Sequence, residues 1–192
     1  MKSVVTIFLC LLFNSFFCQN KFEMNISAKL FEKDSLFISP FEYSKYSEMV
    51  IHTNDDVKYN NQFSSATAKV NNGKTIVSGV TKYPILVNIS YYDPKINGGY
   101  VSKPFIIENL KYVIYIKDKF LEFDLESKSS ANKDFQNIEN LTKNITDKLL
   151  TFQNNDPKFI KKKKKTIRNL IKKDPGSFGA FWVIVNDYSR FG

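Results

Sequence analysis

The sequence has little of the chemistry that metal centres and disulfide scaffolds need. Its 192 residues include 1 His and 2 Cys, and both cysteines lie within the first 18 residues. A chain that loses this segment has no internal disulfide, no cysteine nucleophile and no thiolate metal ligand. With only 7 Gly and 6 Pro, the composition also excludes collagen-like and Pro/Gly-rich low-complexity classes.

The chain does contain enough apolar sequence to build a folded core. Hydrophobic residues make up 43% of it and aromatic residues 15%, which is too much for a disordered chain. A length of 192 residues suits one domain, or one domain with an appendage.

Residues 1–18 are typical of a secretory signal peptide. Lys2 supplies the positive start, and residues 4–17 form a mostly apolar stretch that is shorter than the roughly 20 residues of a transmembrane helix. We therefore expect cleavage between Cys18 and Gln19 and export to the periplasm or cell envelope. Acylation of Cys18, as in a lipoprotein, is disfavoured because Phe17 stands where a small residue is preferred.

Residues 22–127 have the pattern of a β-domain. Apolar and polar residues alternate over 24–30, as in a half-buried strand. Seven more β-rich segments follow, at residues 48–52, 62–70, 74–80, 84–91, 105–108, 112–116 and 120–125. Asn71-Asn72-Gly73 predicts a tight hairpin turn, and residues 97–99 mark a longer loop. Short strands without intervening helices predict an antiparallel β-sandwich or open barrel.

Residues 130–192 predict about three helices, which makes the fold class α+β. Apolar residues recur at helical spacing in the first helix. These residues are Phe135, Ile138, Leu141, Ile145, Leu149 and Phe152. A second helix is expected at 157–173. Ser177 can cap a third, whose apolar stripe is expected at Phe178, Phe181, Trp182 and Val185.

The basic charge is concentrated in the second helix, which has nine cations and no acidic residue. The nine are Lys158, Lys161, Lys162, Lys163, Lys164, Lys165, Arg168, Lys172 and Lys173. With Lys2 they account for ten of the 28 basic residues, and the other 18 nearly balance the 19 acidic ones. We interpret this run as a solvated helix whose Lys163 and Lys164 lie along the packed side. Contact with anionic lipid or polysaccharide is the alternative, and a nucleic-acid partner is disfavoured because Arg, the bidentate phosphate ligand, occurs once.

No arrangement of residues in the sequence predicts catalysis. His52 is the single histidine, and no motif of a nucleophile accompanies it. The carboxylate pairs Asp55-Asp56 and Glu122/Asp124 are interpreted as solvated. We therefore expect a protein that is not an enzyme, with no catalytic residue, cofactor or metal site. Exposed aromatic residues that stack on sugars would make a surface glycan-binding protein the alternative.

Two stretches resemble a known family in their order along the chain. The first comprises residues 77–80, 83–85 and 102–109 (VSGV, YPI and SKPFIIEN). The second comprises Phe159-Ile160 and residues 174–178 (DPGSF). Together they resemble the N-terminal β-domain of unknown function, and the helical connector, of envelope thioredoxin-like (TlpA/ResA-type) proteins of Gram-negative bacteria.

The resemblance covers roughly residues 22–190 and implies an accessory role. In that family the module precedes a thioredoxin domain, which carries the catalytic Cys-x-x-Cys. This sequence has no such motif, so no redox residue carries over. We therefore expect an exported, non-catalytic accessory or binding module, whose partner is a thioredoxin-fold domain or another envelope protein. The alternative is that the chain belongs to a periplasmic thiol-disulfide oxidoreductase as a fragment.

Overall fold

The structure is a computed structural model that describes residues 21–40, 49–53, 66–151 and 157–191. Several predicted features lie outside the described residues. They are the signal peptide with its Cys18–Gln19 cleavage site, Glu48, the Asp55-Asp56 pair, residues 62–65 of the segment 62–70, the side chain of Leu149, and Phe152.

Ten described strands form two sheets. The strands are β1 Phe22–Ser27, β2 Ser35–Pro40, β3 Met49–Thr53, β4 Ala66–Lys69, β5 Lys74–Thr81, β6 Ile85–Asp93, β7 Gly98–Val101, β8 Phe105–Ile107, β9 Lys111–Ile116 and β10 Phe123–Ser127. Sheet 1 has the order β10-β9-β1-β5-β3, and sheet 2 has the order β4-β2-β6-β7, with β8 also paired to β6. The pairs are antiparallel, except that β1 and β9 are parallel.

The core of the sandwich follows from the alternation of apolar and polar residues. Phe22, Met24 and Ile26 of β1 are buried, while the residues between them are half-buried. Leu36 and Ile38 of β2 face the same core from sheet 2. The predicted α+β class is thus confirmed, in its sandwich form and with no closed barrel among the described strands.

Several predicted strand boundaries are wrong. β1 ends at Ser27, and the residues that continue its alternation form a 3-10 turn at Lys29–Phe31, where Leu30 is exposed. The sequence prediction omits β2 altogether. It also assigns residues 97–99 to a loop, whereas β7 begins at Gly98 and pairs with the end of β6.

The predicted Asn-Gly turn is present, but it does not join two strands of one sheet. Asn72 and Gly73 have φ angles of 54° and 67°, as a tight turn of this kind requires. The Glu32 carboxylate accepts the N–H of Asn72 at 3.0 Å and the N–H of Gly73 at 2.5 Å. Pairing after the turn is limited to Asn71 and Lys74, because β4 continues in sheet 2 and β5 in sheet 1.

Three helices follow the strands, as predicted. They are α1 Ser130–Thr151, α2 Pro157–Lys173 and α3 Phe178–Phe191. Phe135, Ile138 and Ile145 of the predicted α1 face are buried, but Leu141 is exposed. No described helix is long and apolar enough to cross a membrane.

The helices cover the outer side of sheet 2. Leu86 of β6 and Ile106 of β8 form a second apolar cluster with Phe135 of α1, Ile167 of α2 and Val183 of α3. Their neighbours along the strands face the sandwich core instead. Because both sides of these strand segments are covered, β8 and the start of β6 are buried at every residue.

Candidate functional site

The first turn of α1 is attached to the edge of sheet 2. The Ser129 hydroxyl accepts the Asn132 N–H at 2.9 Å, which is the bond of an N-cap residue. The Asn132 side-chain oxygen in turn accepts the N–H of Ile106 in β8 at 2.9 Å. Both polar side chains are buried, so this pair of bonds fixes where α1 lies on the sheet.

The start of α3 is attached in a similar way. Ser177 caps the helix by accepting the Ala180 N–H at 3.2 Å, as the sequence predicts, and its hydroxyl donates to Asp134 of α1 at 3.2 Å. The indole N–H of Trp182 donates to the Pro84 carbonyl at 2.8 Å. Three of the segments that carry the family resemblance, 83–85, 102–109 and 174–178, therefore contribute residues to this junction of helices and sheet.

Tyr112 lies at the same junction and is fully buried. Its hydroxyl accepts the N–H of Glu108 at 2.7 Å and donates to the carbonyl of Glu108 at 3.1 Å. Burial raises the pKa of Tyr112 to about 12, while the hydrogen bond to the Glu108 backbone lowers it to a lesser degree. The phenol is therefore neutral over the physiological pH range and acts as a structural group.

A cavity of about 470 Å³ lies beside the first turn of α1. Its lining is polar and contains hydroxyls, amides and two lysines. The lining residues are Leu125, Ser127, Lys128, Ser129, Ser130, Asn132, Lys133 and Gln136. Its two buried polar side chains, Ser129 and Asn132, already bond the helix cap and strand β8.

The residues considered for catalysis are not brought together among the described parts of the chain. His52 is in β3, and its backbone pairs with Ser78 of β5. Asp124 forms an exposed ion pair with Lys117 at 2.5 Å, and Glu122 is exposed just before β10. Within the described ranges, no three histidine, cysteine or acidic residues are grouped so that they could hold a metal ion.

The lysine-rich helix α2 contacts the rest of the protein through one side. Lys163 and Ile167 are buried on it, and Ile160, Leu170 and Ile171 are half-buried. The other eight cations are exposed. They are Lys158, Lys161, Lys162, Lys164, Lys165, Arg168, Lys172 and Lys173.

The prediction for the packed side of α2 is right for one lysine and wrong for the other. The Lys163 ammonium lies 2.5 Å from the Asp187 carboxylate of α3, and its side chain is 3% exposed. Lys164 is exposed, since it is one residue further and therefore about 100° away around the helix.

The predicted apolar stripe of α3 is largely wrong. Trp182 is buried, but Phe178 and Phe181 are 42% and 52% exposed, and Val185 is only half-buried. The packed face instead contains Gly179, Trp182, Val183 and Asn186, which lie at i, i+3, i+4 and i+7. Ile184, which is not part of the predicted stripe, is 44% exposed on the same side as Phe181.

Helices α2 and α3 lie side by side and antiparallel. A turn of four residues, 174–177, joins them, and the Lys163–Asp187 ion pair connects them further along. The exposed cations and the exposed apolar residues therefore lie on two connected helices. We call these eight cations, together with Phe178, Phe181 and Ile184, the α2–α3 surface.

Both components of the α2–α3 surface can contribute free energy to binding a partner of matching chemistry. Three half-exposed apolar side chains leave roughly 1 kcal/mol each to be gained by complete burial. Lysine or arginine near an anionic membrane surface contributes about 1 kcal/mol per residue. The surface is thus chemically suited to a partner that is both anionic and apolar.

Comparisons with known proteins add no relative to this picture. No family model matches the chain, and no curated protein sequence matches it. Any function must therefore be argued from the residues and from the surface that they form.

Proposed function

We propose that this protein is an exported, non-catalytic binding module that associates with the cell envelope through its α2–α3 surface. One observation carries the proposal. Eight exposed cations lie on α2 and three partly exposed apolar side chains lie on α3, and a turn of four residues and the Lys163–Asp187 ion pair connect the two helices. The sandwich and α1 form the support on which this surface is built.

The exported location is supported by residues 1–18 and by the resemblance to envelope thioredoxin-like proteins. Mass spectrometry of the protein from expressing cells is expected to give an N terminus near Gln19. Acylated Cys18 would instead support a lipoprotein. An intact Met1 in the cytoplasm would contradict export.

The resemblance also supports a thioredoxin-fold domain or another envelope protein as a partner. A fragment of a thiol-disulfide oxidoreductase is the alternative that the same resemblance supports. Since the sequence after Cys18 contains no cysteine, the processed protein is expected to reduce no insulin disulfide. Reproducible turnover by a pure preparation would contradict the non-catalytic proposal.

A surface glycan-binding protein is less well supported by the aromatic residues that the structure describes. Tyr100 and Phe120 form the pair on the sandwich with the greatest exposure, and Phe120 is 56% exposed. Their ring planes meet at 84°, so this pair does not offer the single flat face on which a sugar ring stacks.

Fractionation of expressing cells tests the proposed binding surface. The variant Lys164→Glu/Lys165→Glu reverses two exposed cations of α2. The matched control Lys95→Glu/Lys111→Glu makes the same change at exposed positions of the sandwich. We expect the first variant to move from the washed envelope fraction to the soluble fraction, while the control stays with the envelope. Equal distributions of the two variants would contradict the proposal.

A further inference from the structure

We propose that the partner of the α2–α3 surface is the surface of an anionic lipid bilayer. The inference rests on the proposed function, because it names the chemical class that the same surface binds. In this arrangement the cations of α2 lie at the lipid headgroups, and Phe178, Phe181 and Ile184 enter the boundary between headgroups and acyl chains.

The distribution of charge on α2 favours an extended anionic surface over a compact anionic ligand. At 100° per residue the eight exposed cations lie on one side of α2, over about half of its circumference, and residues 157–173 contain no acidic residue. Seven of the eight exposed cations are lysines, which act as mobile point charges and do not hold a phosphate in a fixed fork. A membrane surface attracts such a cluster through the summed potential of many headgroups.

The apolar side chains of α3 distinguish a membrane from a soluble polyanion. Phe181 and Ile184 are about half exposed, and the backbone phosphates of a nucleic acid would leave them in water. Interfacial helices combine lysines on one side with aromatic and aliphatic residues on another, and insert the apolar side at the acyl boundary. Here two antiparallel helices supply the two halves of that pattern.

The geometry allows the contact without unfolding. The exposed residues of α3 point away from its packed face, where Gly179, Trp182 and Val183 contact the rest of the layer. The 14 residues of α3 extend along roughly 21 Å at 1.5 Å per residue, with α2 beside them. The sandwich can therefore keep its structure while the edge of the helical layer rests on the bilayer.

Co-sedimentation with lipid vesicles tests this inference on the protein recovered from expression of the full chain. The probes are vesicles of phosphatidylcholine alone and vesicles of equal parts phosphatidylcholine and phosphatidylglycerol. We expect binding to the anionic vesicles, little binding to the neutral ones, and a steep loss of binding between about 0.1 M and about 0.5 M salt. Equal binding to both kinds of vesicle would overturn the inference.

Two variants separate the contributions of charge and apolar contact. Lys164→Glu/Lys165→Glu is expected to lower the partition coefficient at least about tenfold, and Ile184→Ser roughly fivefold. The matched controls Lys95→Glu/Lys111→Glu and Leu30→Ser are expected to bind as the original chain does, since Leu30 is 63% exposed on the sandwich. Each variant is first shown to unfold at the original temperature. Unchanged binding by both surface variants would overturn the inference.

Two other partners, a soluble polyanion and a second copy of the chain, would give different results. The protein could bind dextran sulfate as tightly as it binds the vesicles, with Ile184→Ser weakening neither. That result would show recognition of charge alone and would overturn the inference. A dimer that Ile184→Ser dissociates would overturn it too, in favour of a second copy. Envelope association that depends on Lys164 and Lys165 without any vesicle binding would overturn the lipid inference and leave the proposed function standing.

Discussion

Gly179 is where α3 comes closest to α1, and a single added carbon atom there should disturb the helical layer. A Cβ atom at this position would lie 2.5 Å from the backbone nitrogen of Phe135 and 2.8 Å from the carbonyl oxygen of Ala131. It would also lie 2.7 Å from the Cβ of Asp134. Two of these three atoms belong to the α1 backbone, which cannot turn aside as a flexible side chain can.

The expected cost of Gly179→Ala is the difference between two effects. Inserting a methyl group into a packed contact typically costs about 1–3 kcal/mol, and backbone contacts below 3.0 Å place this site at the upper end. Alanine in place of glycine favours a helix by about 1 kcal/mol. We therefore expect the free energy of unfolding to fall by about 2 kcal/mol, which for a chain of this size lowers Tm by roughly 4–8 °C.

Gly176→Ala is a matched control three residues earlier. Gly176 is exposed, and the nearest atom to its added Cβ would be the Asp174 carboxylate oxygen at an ordinary 3.7 Å. Thermal unfolding followed by circular dichroism is expected to show a change within about 0.5 kcal/mol for this variant. If Gly179→Ala unfolds at the same temperature as Gly176→Ala, the close packing of α3 on α1 is refuted.

Five further substitutions test other parts of the structure. Gly73→Ala is expected to lower the free energy of unfolding by about 1–2 kcal/mol, because Gly73 has a φ of 67°. Gly98→Ala is the control, and it should unfold at the same urea concentration as the original chain, because all atoms near its added Cβ would lie at an ordinary 3.6 Å or more. Asp187→Asn should lower the free energy of unfolding by up to about 3 kcal/mol, and by more than Lys163→Met does. The reason is that it leaves the ammonium of Lys163, the more deeply buried partner, without the Asp187 carboxylate. The reverse order in denaturant titrations would contradict a buried Lys163. The raised pKa of Tyr112 stabilises the fold below the ordinary pKa of 10.0, and this stabilisation is lost as pH rises to about 12. Tyr112→Phe should therefore show a shallower loss of stability over this range, and an equally steep loss would rule out Tyr112 as its source.

The sequence predicts the elements whose local pattern and packing agree. The alternation in β1 and the spacing of Phe135, Ile138 and Ile145 in α1 mark sides that the structure buries. The Asn72-Gly73 turn is also predictable, because few residues tolerate its positive φ angles. The sheet to which the next strand belongs is not predictable, because it depends on pairing between distant residues, such as that of β5 with β1.

The α2–α3 surface is harder to predict because α3 is apolar on nearly every side. Periodicity cannot choose a packed face when Phe178, Phe181, Val183 and Ile184 surround the helix. The close approach at Gly179 decides it, because the smallest side chain allows the two backbones to meet. The spacing of Gly179 with Trp182, Val183 and Asn186 was the available signal.

The five consecutive lysines posed the same difficulty. The helical spacing of Ile160 and Ile167 narrows the packed position to Lys163 or Lys164, but their identical side chains do not choose between the two. Lys163 is selected by Asp187, which lies 24 residues later and on another helix. Local sequence therefore predicts a cationic helix, while the choice of its exposed side is made by tertiary contacts.

Photo-crosslinking in expressing cells tests most directly whether the α2–α3 surface lies on a membrane. A photoactivatable amino acid is placed at position 181 in α3, and in a separate chain at position 30 on the sandwich. The two replaced side chains are 52% and 63% exposed, so both sites are open to solvent. The account predicts lipid adducts at position 181 and far fewer at position 30. Equal yields at both positions, or a discrete protein adduct at position 181 in place of lipid, would contradict it.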